Sequence, residues 1–339
     1  MKLQWGQRLI DRIRGKKYLR IYPPYYDEHV PIPLSKPEIY NRAGEKMDLF
    51  FLRDRHETLN PYGDTRSRYF LWDRYNYGLD THFYTGNALM ETMGSPARRF
   101  GLLIEPRIKQ PRDYARVEQR AALAQQFDAI LTADARLLDK VDNTLFFPAC
   151  AAAWTSHLDP LLYQKKTKEI SMVSSRKKMC PLHFLRVEVA RKCKREGLAD
   201  TFGTFDGGGF VSYDDVLDDY RYSIMFENEV SPYWYTERLV TSFLKMTVPI
   251  YLGATEVGKL FNPDGIIQIN TAQAQDIGTV LRQCSEQDYE QRLPAIRENY
   301  ERAQIYVNTS DLLYESLFVK PEQRTLKFDF AFIKQGRVW

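Results

Sequence analysis

The chain has 339 residues, of which 44% are hydrophobic and 14% aromatic. This composition is sufficient for the cores of two domains of ordinary size, and disorder is not the default expectation. A net charge of +4 is too small and too dispersed to predict nucleic-acid binding, which requires a strongly basic face with interleaved aromatic residues. The four cysteines form no CxxC pair, so we expect reduced thiols and no zinc site; they are Cys150, Cys180, Cys193 and Cys284.

The first 20 residues are basic. Seven lysines and arginines accompany one acid, Asp11, and apolar residues that include Trp5 follow a rough helical spacing. Two interpretations stay open: a helix docked on the body with a solvated basic face, or a basic amphipathic helix lying on an anionic membrane. The sequence contains neither a run of about 20 apolar residues nor an apolar signal core. We therefore expect a cytoplasmic protein, with peripheral attachment to the inner face of the cell membrane under the second interpretation.

Short strand patterns alternate with helical patterns through the first half of the chain. We predict a helix over Tyr114–Gln126 and five strands, at Asp48–Leu52, Thr81–Tyr84, Arg99–Ile104, Asp128–Thr132 and Thr144–Phe147. Such alternation favours a parallel sheet covered on both faces. We expect residues 1–155 to form this first domain.

Residues 148–168 form a predicted linker, after which a second alternation begins. The predicted strands are Ile170–Ser174, Thr201–Gly203, Tyr222–Phe226, Val248–Gly253 and Gly265–Asn270, and the predicted helices are Leu182–Arg195, Asp214–Tyr220, one from Thr236 to about Met246 and two between Asp276 and Tyr306. We expect a second domain over residues 156–320 and a tail over 321–339. The predicted fold class is α/β, with two doubly wound, Rossmann-like domains facing a cleft.

The most informative stretch is residues 226–253. It contains Phe-Glu-Asn at 226–228, Thr-Glu-Arg at 236–238 and an apolar run at 248–253. We expect a strand, a loop, a helix capped by Thr236 and a second strand. The C-terminal edge of a sheet is where open α/β folds bind ligands, and a helix N-terminus with an adjacent arginine donates to phosphate. The pattern therefore predicts a nucleotide-sugar site at this edge, formed by Glu227, Asn228, Glu237 and Arg238.

This pattern resembles the donor-site signature of the α-1,3/1,4-fucosyltransferases, glycosyltransferase family ten. The matching stretches are residues 226–228, 234–238 and 247–253. Trp234 stands where the family has tyrosine and Arg238 where it has lysine, which keeps an aromatic face and a cation but exchanges a point charge for a planar fork. The resemblance implies the GT-B fold and inverting transfer of L-fucose from GDP-fucose, without a metal or other cofactor. The implied acceptor is a hydroxyl of a bacterial surface glycan of the lipopolysaccharide or capsule type, either an oligosaccharide or a lipid-linked glycan.

Glycosyl transfer needs a base for the acceptor hydroxyl, on the side opposite the leaving group. Glu105 follows the apolar strand end Phe100–Ile104, and Pro106 stops the strand, which leaves the carboxylate at the C-terminal edge of the sheet. From these residues alone, a carboxylate that caps backbone amides is favoured. Because Glu105 matches the position of the base in the family, the resemblance implies the catalytic role. Glu118 and Asp128 are weaker candidates.

Transfer also needs a clamp for the leaving diphosphate. Ser174 follows a predicted strand and Arg186 lies near the start of the next helix, an arrangement suited to phosphate. The family carries a Ser-Asn pair and an arginine in corresponding places, and Ser175 replaces the asparagine. His183 is predicted to lie on a helix face, and the aspartates between 214 and 219 to form a solvated helix face and no metal site.

Five residues of the motif are predicted to contact the donor. By resemblance, Glu237 binds sugar hydroxyls, Asn228 binds the sugar or the ribose, and Arg238 binds the diphosphate. The aromatic residue and the helix cap complete the set: Trp234 and Thr236.

Two alternatives remain. The substitutions at Trp234 and Arg238 leave open a GT-B transferase that uses a different nucleotide sugar. A non-catalytic glycan-binding protein is the second alternative, and the joint presence of Glu105, Arg186 and Glu237 argues against it.

Overall fold

The computed structural model describes residue 36 and residues 38–54, 67–155, 157–331 and 333. The basic segment 1–20, with its predicted membrane role, lies outside the described residues. The described chain contains two mainly parallel sheets with helices packed around them. The predicted α/β fold class with two doubly wound units is confirmed.

The first sheet has seven described strands in the order β1-β2-β4-β5-β6-β7, with β3 also paired to β2. Every pairing is parallel except that of β1 with β2. The strands are β1 (Ile39–Tyr40), β2 (Lys46–Arg53), β3 (Phe70–Asp73), β4 (Thr81–Thr85), β5 (Arg98–Leu103), β6 (Ala129–Thr132) and β7 (Thr144–Phe146). Its helices are α1 (Pro111–Gln119), α2 (Ala121–Ala124) and α3 (Ala135–Lys140).

The five predicted strands of this half are present to within about two residues at each end, while β1 and β3 were not predicted. The predicted helix over Tyr114–Gln126 is wrong in its bounds. It begins at Pro111, which suits a first helical turn, and it is interrupted at Arg120, where φ is −127° and ψ is 82°.

The second sheet is wholly parallel, in the order β12-β11-β10-β8-β9. Its strands are β8 (Lys168–Val173), β9 (Asp200–Phe202), β10 (Tyr220–Ser231), β11 (Val248–Ala254) and β12 (Ile267–Gln268). The helices of this half are α4 (Pro181–Glu196), α5 (Tyr213–Leu217), α6 (Glu237–Leu244), α7 (Thr271–Gln275), α8 (Ile277–Leu281), α9 (Glu286–Ala303) and α10 (Thr309–Phe318).

The central strand β10 differs from its prediction at both ends. Tyr220 begins β10 instead of ending the preceding helix, and its buried hydroxyl donates to Asp200. The strand also continues to Ser231, so the loop before α6 is shorter than predicted. Residues 220–227 are all buried, as expected for a central strand covered on both faces.

Helix α10 lies against the first sheet, although it follows the second sheet in the chain. Phe318 packs on Phe50 with ring centroids 5.1 Å apart, and the Tyr314 hydroxyl donates to Asp48. Arg68 donates to Asp311 at 2.7 Å. The chain therefore returns to the first unit, while the domain limits at 155 and 320 remain predictions.

His82 provides a test of core packing in the first sheet. Its ring is fully buried, lies 4.6 Å from that of Phe51 and bonds through Nδ1 to the Tyr84 hydroxyl. Burial lowers the pKa of His82 to about 4. Because the unfolded chain binds this proton more readily, stability is fully present above the unfolded pKa and is lost as the pH falls below it.

We predict that His82 contributes about 2 kcal/mol of the loss in unfolding free energy between pH 8 and pH 5. Urea unfolding of wild type and His82→Phe at both pH values measures this, and the variant should have the flatter profile. His157→Gln, at an exposed position, is the control. Equal pH profiles for wild type and His82→Phe would contradict the prediction.

Candidate functional site

The Glu227 carboxylate lies at the centre of the candidate site. It is fully buried and accepts hydrogen bonds from the Thr236 backbone N–H at 2.9 Å, the Thr236 hydroxyl at 2.9 Å and the Tyr251 hydroxyl at 3.4 Å. Thr236 is the N-cap of α6, and its hydroxyl oxygen accepts from the Arg238 N–H. Through Thr236, Glu227 fixes the first turn of the helix that carries Glu237 and Arg238.

Gly253 allows Glu227 and Tyr251 to approach each other. A Cβ atom at this position would lie 2.4 Å from the Tyr251 hydroxyl oxygen and 2.5 Å from the Glu227 Cγ. No side chain fits in this space. Gly253, the final glycine of the apolar run, therefore leaves the space that the contact between Glu227 and Tyr251 of β11 requires.

Asn228 is held by two donors on α4. The Met179 N–H donates to His183 Nδ1, so the other ring nitrogen, Nε2, carries the proton and donates to Asn228 Oδ1 at 2.8 Å. Arg186 Nη2 donates to the same oxygen at 3.2 Å and to the Glu227 carbonyl at 3.0 Å. With Oδ1 engaged twice, the amide NH₂ is the group that Asn228 offers to a ligand.

Two arginines line one cavity beside the middle of β10, where β8 ends. Arg186 is 4% exposed, and its Nε is buried without a hydrogen-bond partner among the described residues. Burial, together with the nearby charge of Arg238, lowers the pKa of Arg186 to about 10. Two cations that repel each other beside an unused donor favour an anionic ligand. The remaining lining is largely apolar and comprises Val173, Tyr213, Leu217, Ser223, Ile224, Met225 and Phe226.

The Glu237 carboxylate contacts two residues that line this cavity, Tyr213 and Arg238. Its Oε1 accepts from the Tyr213 hydroxyl at 3.3 Å and lies 3.4 Å from Arg238 Nη1. Arg238 Nη1 also lies 3.9 Å from Glu227 Oε2. One guanidinium thus faces two carboxylates, one of them fully buried.

Cys150 connects the residue before the predicted base to the start of α6. Its Sγ–H donates to the Ile104 carbonyl at 3.0 Å, immediately before Glu105, and its carbonyl accepts from the Glu237 N–H at 2.8 Å. Burial, with the Glu105 and Glu237 carboxylates nearby, raises the pKa of the thiol, so the donor is S–H. The ends of β5 and α6 are therefore held together by one residue of the linker.

Glu105 is about one-quarter exposed and pairs with Lys109, with Nζ 2.5 Å from Oε2. Its carbonyl accepts from the Tyr114 hydroxyl, and in the same loop the Ile108 N–H donates to Glu229 on β10. The predicted base thus lies where the C-terminal edges of the two sheets meet.

The two weaker candidates for the base are placed differently. Glu118 forms ion pairs with Arg107 and Arg136. Asp128 precedes β6, at the opposite edge of the sheet, where it accepts from the Arg99 N–H.

Two predicted donor-site residues are fully buried. Ser174 is 1% exposed at the end of β8, where Gly203, at φ +98°, approaches its carbonyl so closely that a Cβ would lie 2.4 Å away. Trp234 is 2% exposed and belongs to the hydrophobic core. Its ring therefore packs in the core.

The prediction that the aspartates between 214 and 219 form a solvated helix face is wrong for two of them. Asp214 and Asp218 flank the fully buried Lys245 ammonium at 2.7 and 2.9 Å. Among the described residues, no three His, Cys, Asp or Glu side chains are grouped so that they could hold a metal ion. In the part of the chain that the structure describes, no helix has both the length and the apolar character needed to cross a membrane.

Residues 163–306 match the family model "Glycosyltransferase family 10 (fucosyltransferase) C-term". This segment contains β8 to β12 and every site residue described above except those of the Glu105 loop and Cys150. The match confirms the predicted resemblance over the C-terminal domain of this family, and with it the predicted enzyme class, a glycosyltransferase. Comparison with curated proteins found no match.

Several solved structures are similar to the chain. An α1,3-fucosyltransferase with GDP is 14% identical, covers 80% of this chain and 93% of its own, and has a TM-score of 0.46. Anabaena HepE in complex with UDP-glucose is 12% identical, with 68% and 75% covered and a TM-score of 0.44. A T4 phage β-glucosyltransferase mutant in complex with UDP-glucose is 11% identical, with 79% and 99% covered and a TM-score of 0.43.

Three contributors were missed or undervalued from the sequence. The motif contains Glu227, but no pattern shows that its carboxylate is buried. His183 was assigned to a helix face, and Cys150 was expected to be only a structural thiol. One signal was available: His183 and Arg186 are three residues apart, which places them on one face of a helix.

We predict that Gly253→Ala destabilises the fold by about 1–3 kcal/mol, because the added methyl group overpacks the Glu227 and Tyr251 contact. Gly258→Ala is the matched control, since its Cβ would meet Pro263 at ordinary distances of 3.6 and 3.9 Å. The midpoints of urea unfolding measure both effects. A Gly253→Ala variant as stable as Gly258→Ala would show that the space between Glu227 and Tyr251 can open freely.

Proposed function

We propose that the chain is an inverting α-1,3-fucosyltransferase that moves L-fucose from GDP-fucose to a hydroxyl of a bacterial surface glycan. The observation that carries this proposal is the pair Arg186 and Arg238, which line one cavity within the segment that matches the family, with Glu237 in contact with Arg238. The polar side chains suit a diphosphate next to a sugar. Lipopolysaccharide or capsule-type acceptors, lipid-linked or free, follow from the motif resemblance. Attachment to an anionic membrane through residues 1–20 is proposed on a separate ground, the basic and partly apolar composition of that segment.

In the proposed reaction, Glu105 removes the proton of the acceptor hydroxyl as that oxygen attacks the anomeric carbon of fucose. The bond from this carbon to the β-phosphate oxygen breaks on the opposite face, and GDP leaves with the electron pair. Arg186 and Arg238 neutralise the charge that develops on the diphosphate. The Asn228 amide and the Glu237 carboxylate orient the sugar through its hydroxyl groups.

A donor other than GDP-fucose is the second candidate, and Arg238 motivates it. A guanidinium donates through a fork and a lysine ammonium through a point charge, so the diphosphate can sit differently in this chain. Thermal-shift measurements with GDP, UDP and their sugar conjugates distinguish the donors, because a ligand of the native state raises its apparent stability.

We predict that Arg186→Ala and Arg238→Ala each weaken GDP binding by about 10- to 100-fold, since each removes a charged donor to phosphate. Isothermal titration of folded variants measures the affinity. Arg302→Ala, which removes an arginine paired with Glu298 on the surface, should bind GDP as wild type does. Unchanged GDP affinity in both site variants would refute the diphosphate clamp.

We predict that Glu105→Gln lowers the rate of transfer by about 10²- to 10⁴-fold while GDP affinity stays near that of wild type. Asp128→Asn, at the opposite edge of the same sheet, is the control for loss of a carboxylate. Initial rates with saturating donor give the comparison. Turnover close to wild type would remove Glu105 from the reaction, and a loss of GDP binding would assign it to the architecture of the site.

A further inference from the structure

Glu227 differs from the other carboxylates of the site because its side chain has no access to solvent. A carboxylate in this position needs hydrogen bonds or a nearby cation to remain ionised. Thr236 and Tyr251 supply the hydrogen bonds, and the positive charge comes from Arg238, whose Nη1 is 3.9 Å away. Arg186 contributes a second positive charge, bonded to the backbone carbonyl of Glu227 itself.

These arginines are the residues that would bind an anionic ligand in the cavity. When the oxygens of a diphosphate accept hydrogen bonds from these arginines, the negative charge beside Glu227 increases. The positive charge of the arginines is then shared between the diphosphate and Glu227. A buried carboxylate next to a second anion is stabilised by taking up a proton. Ligand binding and protonation of Glu227 should therefore favour each other.

We propose that Glu227 is a positioning residue that holds the Thr236 cap, and with it Glu237 and Arg238, and that the enzyme binds its anionic donor together with a proton on Glu227. This inference rests on the proposed function, since it requires a diphosphate in the cavity. No analogous coupling is expected at Glu105, whose paired cation is the separate Lys109.

The surroundings of Glu227 are consistent with this coupling. The titratable and charged groups that face it come from α4, α5, α6, β11 and the linker: Arg186, Tyr213, Glu237, Arg238, Tyr251 and Cys150. Burial raises the pKa of Glu227 to about 7, while Arg238 acts in the opposite direction. The Glu227 carboxylate therefore gains or loses its proton near neutral pH, where binding can be measured on the folded protein.

The sign of the effect follows from linkage. If the bound anion raises the pKa of Glu227 further, affinity is highest below pH 7 and falls as the pH rises through the pKa of the free protein. A rise of about half to one pKa unit corresponds to an affinity change of about 3- to 10-fold.

GDP-fucose is the appropriate probe, because its diphosphate is esterified at both ends and does not titrate near neutral pH, unlike that of GDP. Isothermal titration at pH 6, 7 and 8.5 should show affinity falling about 3- to 10-fold over this range in wild type. At pH 7, titrations in two buffers of different ionisation enthalpy should show net proton uptake. Glu227→Gln keeps the size of the side chain and resembles the protonated carboxyl, with one accepting oxygen and one donating group, so it should bind with little pH dependence and without proton uptake.

Glu256→Gln is the matched control, since it removes a carboxylate paired with the exposed Lys259 and should keep the wild-type pH dependence. Glu227→Ala should lose affinity at every pH, because the Thr236 cap is no longer held, while Glu227→Gln retains it. Binding by wild type that is independent of pH and proton-neutral overturns the coupling and leaves the proposed function intact. Absence of GDP-fucose binding at all three pH values overturns both.

Discussion

The candidate site depends on one buried interaction, between the Glu227 carboxylate and the Thr236 cap of α6. A carboxylate removed from water must find donors within the protein, and here the donors are the backbone N–H and hydroxyl of the residue that begins the helix. The helix therefore cannot shift without exposing an unpaired anion. Glu237 and Arg238 take their positions from this constraint, and Gly253 provides the space it requires.

A second constraint fixes the two halves of the site against each other. The Cys150 thiol donates a hydrogen bond at the end of β5, and the Cys150 carbonyl accepts one from the start of α6. The Glu229 carboxylate accepts a hydrogen bond from the loop that follows Glu105. The proposed catalysis, by a base on one unit and a clamp on the other, requires this kind of alignment, because small displacements of reacting groups reduce rates strongly. The linker thus contributes directly to the geometry of the site.

The sequence predicted the parallel strands and the motif well, because continuous apolar runs and helix caps are local signals. It did not predict the short strands β1 and β3. These strands have only two and four residues, which is too few to show a clear strand pattern. The break at Arg120 and the start of β10 at Tyr220 were also missed. At the site, contacts between distant residues were invisible: His183 with Asn228, and Cys150 with Ile104 and Glu237, each depend on how separate elements pack.

The charges of the site explain how the burial of Arg186 is related to the binding of an anionic ligand. Arg186 is almost fully buried, its pKa is lowered by burial and by Arg238, and its Nε has no hydrogen-bond partner among the described residues. Placing a cation out of water is unfavourable unless a partner compensates for it. In the proposed function a diphosphate supplies that partner, and the desolvation of Arg186 has already taken place in folding. The arginine would then bind the leaving group without a further loss of hydration, which is the advantage of a preorganised site.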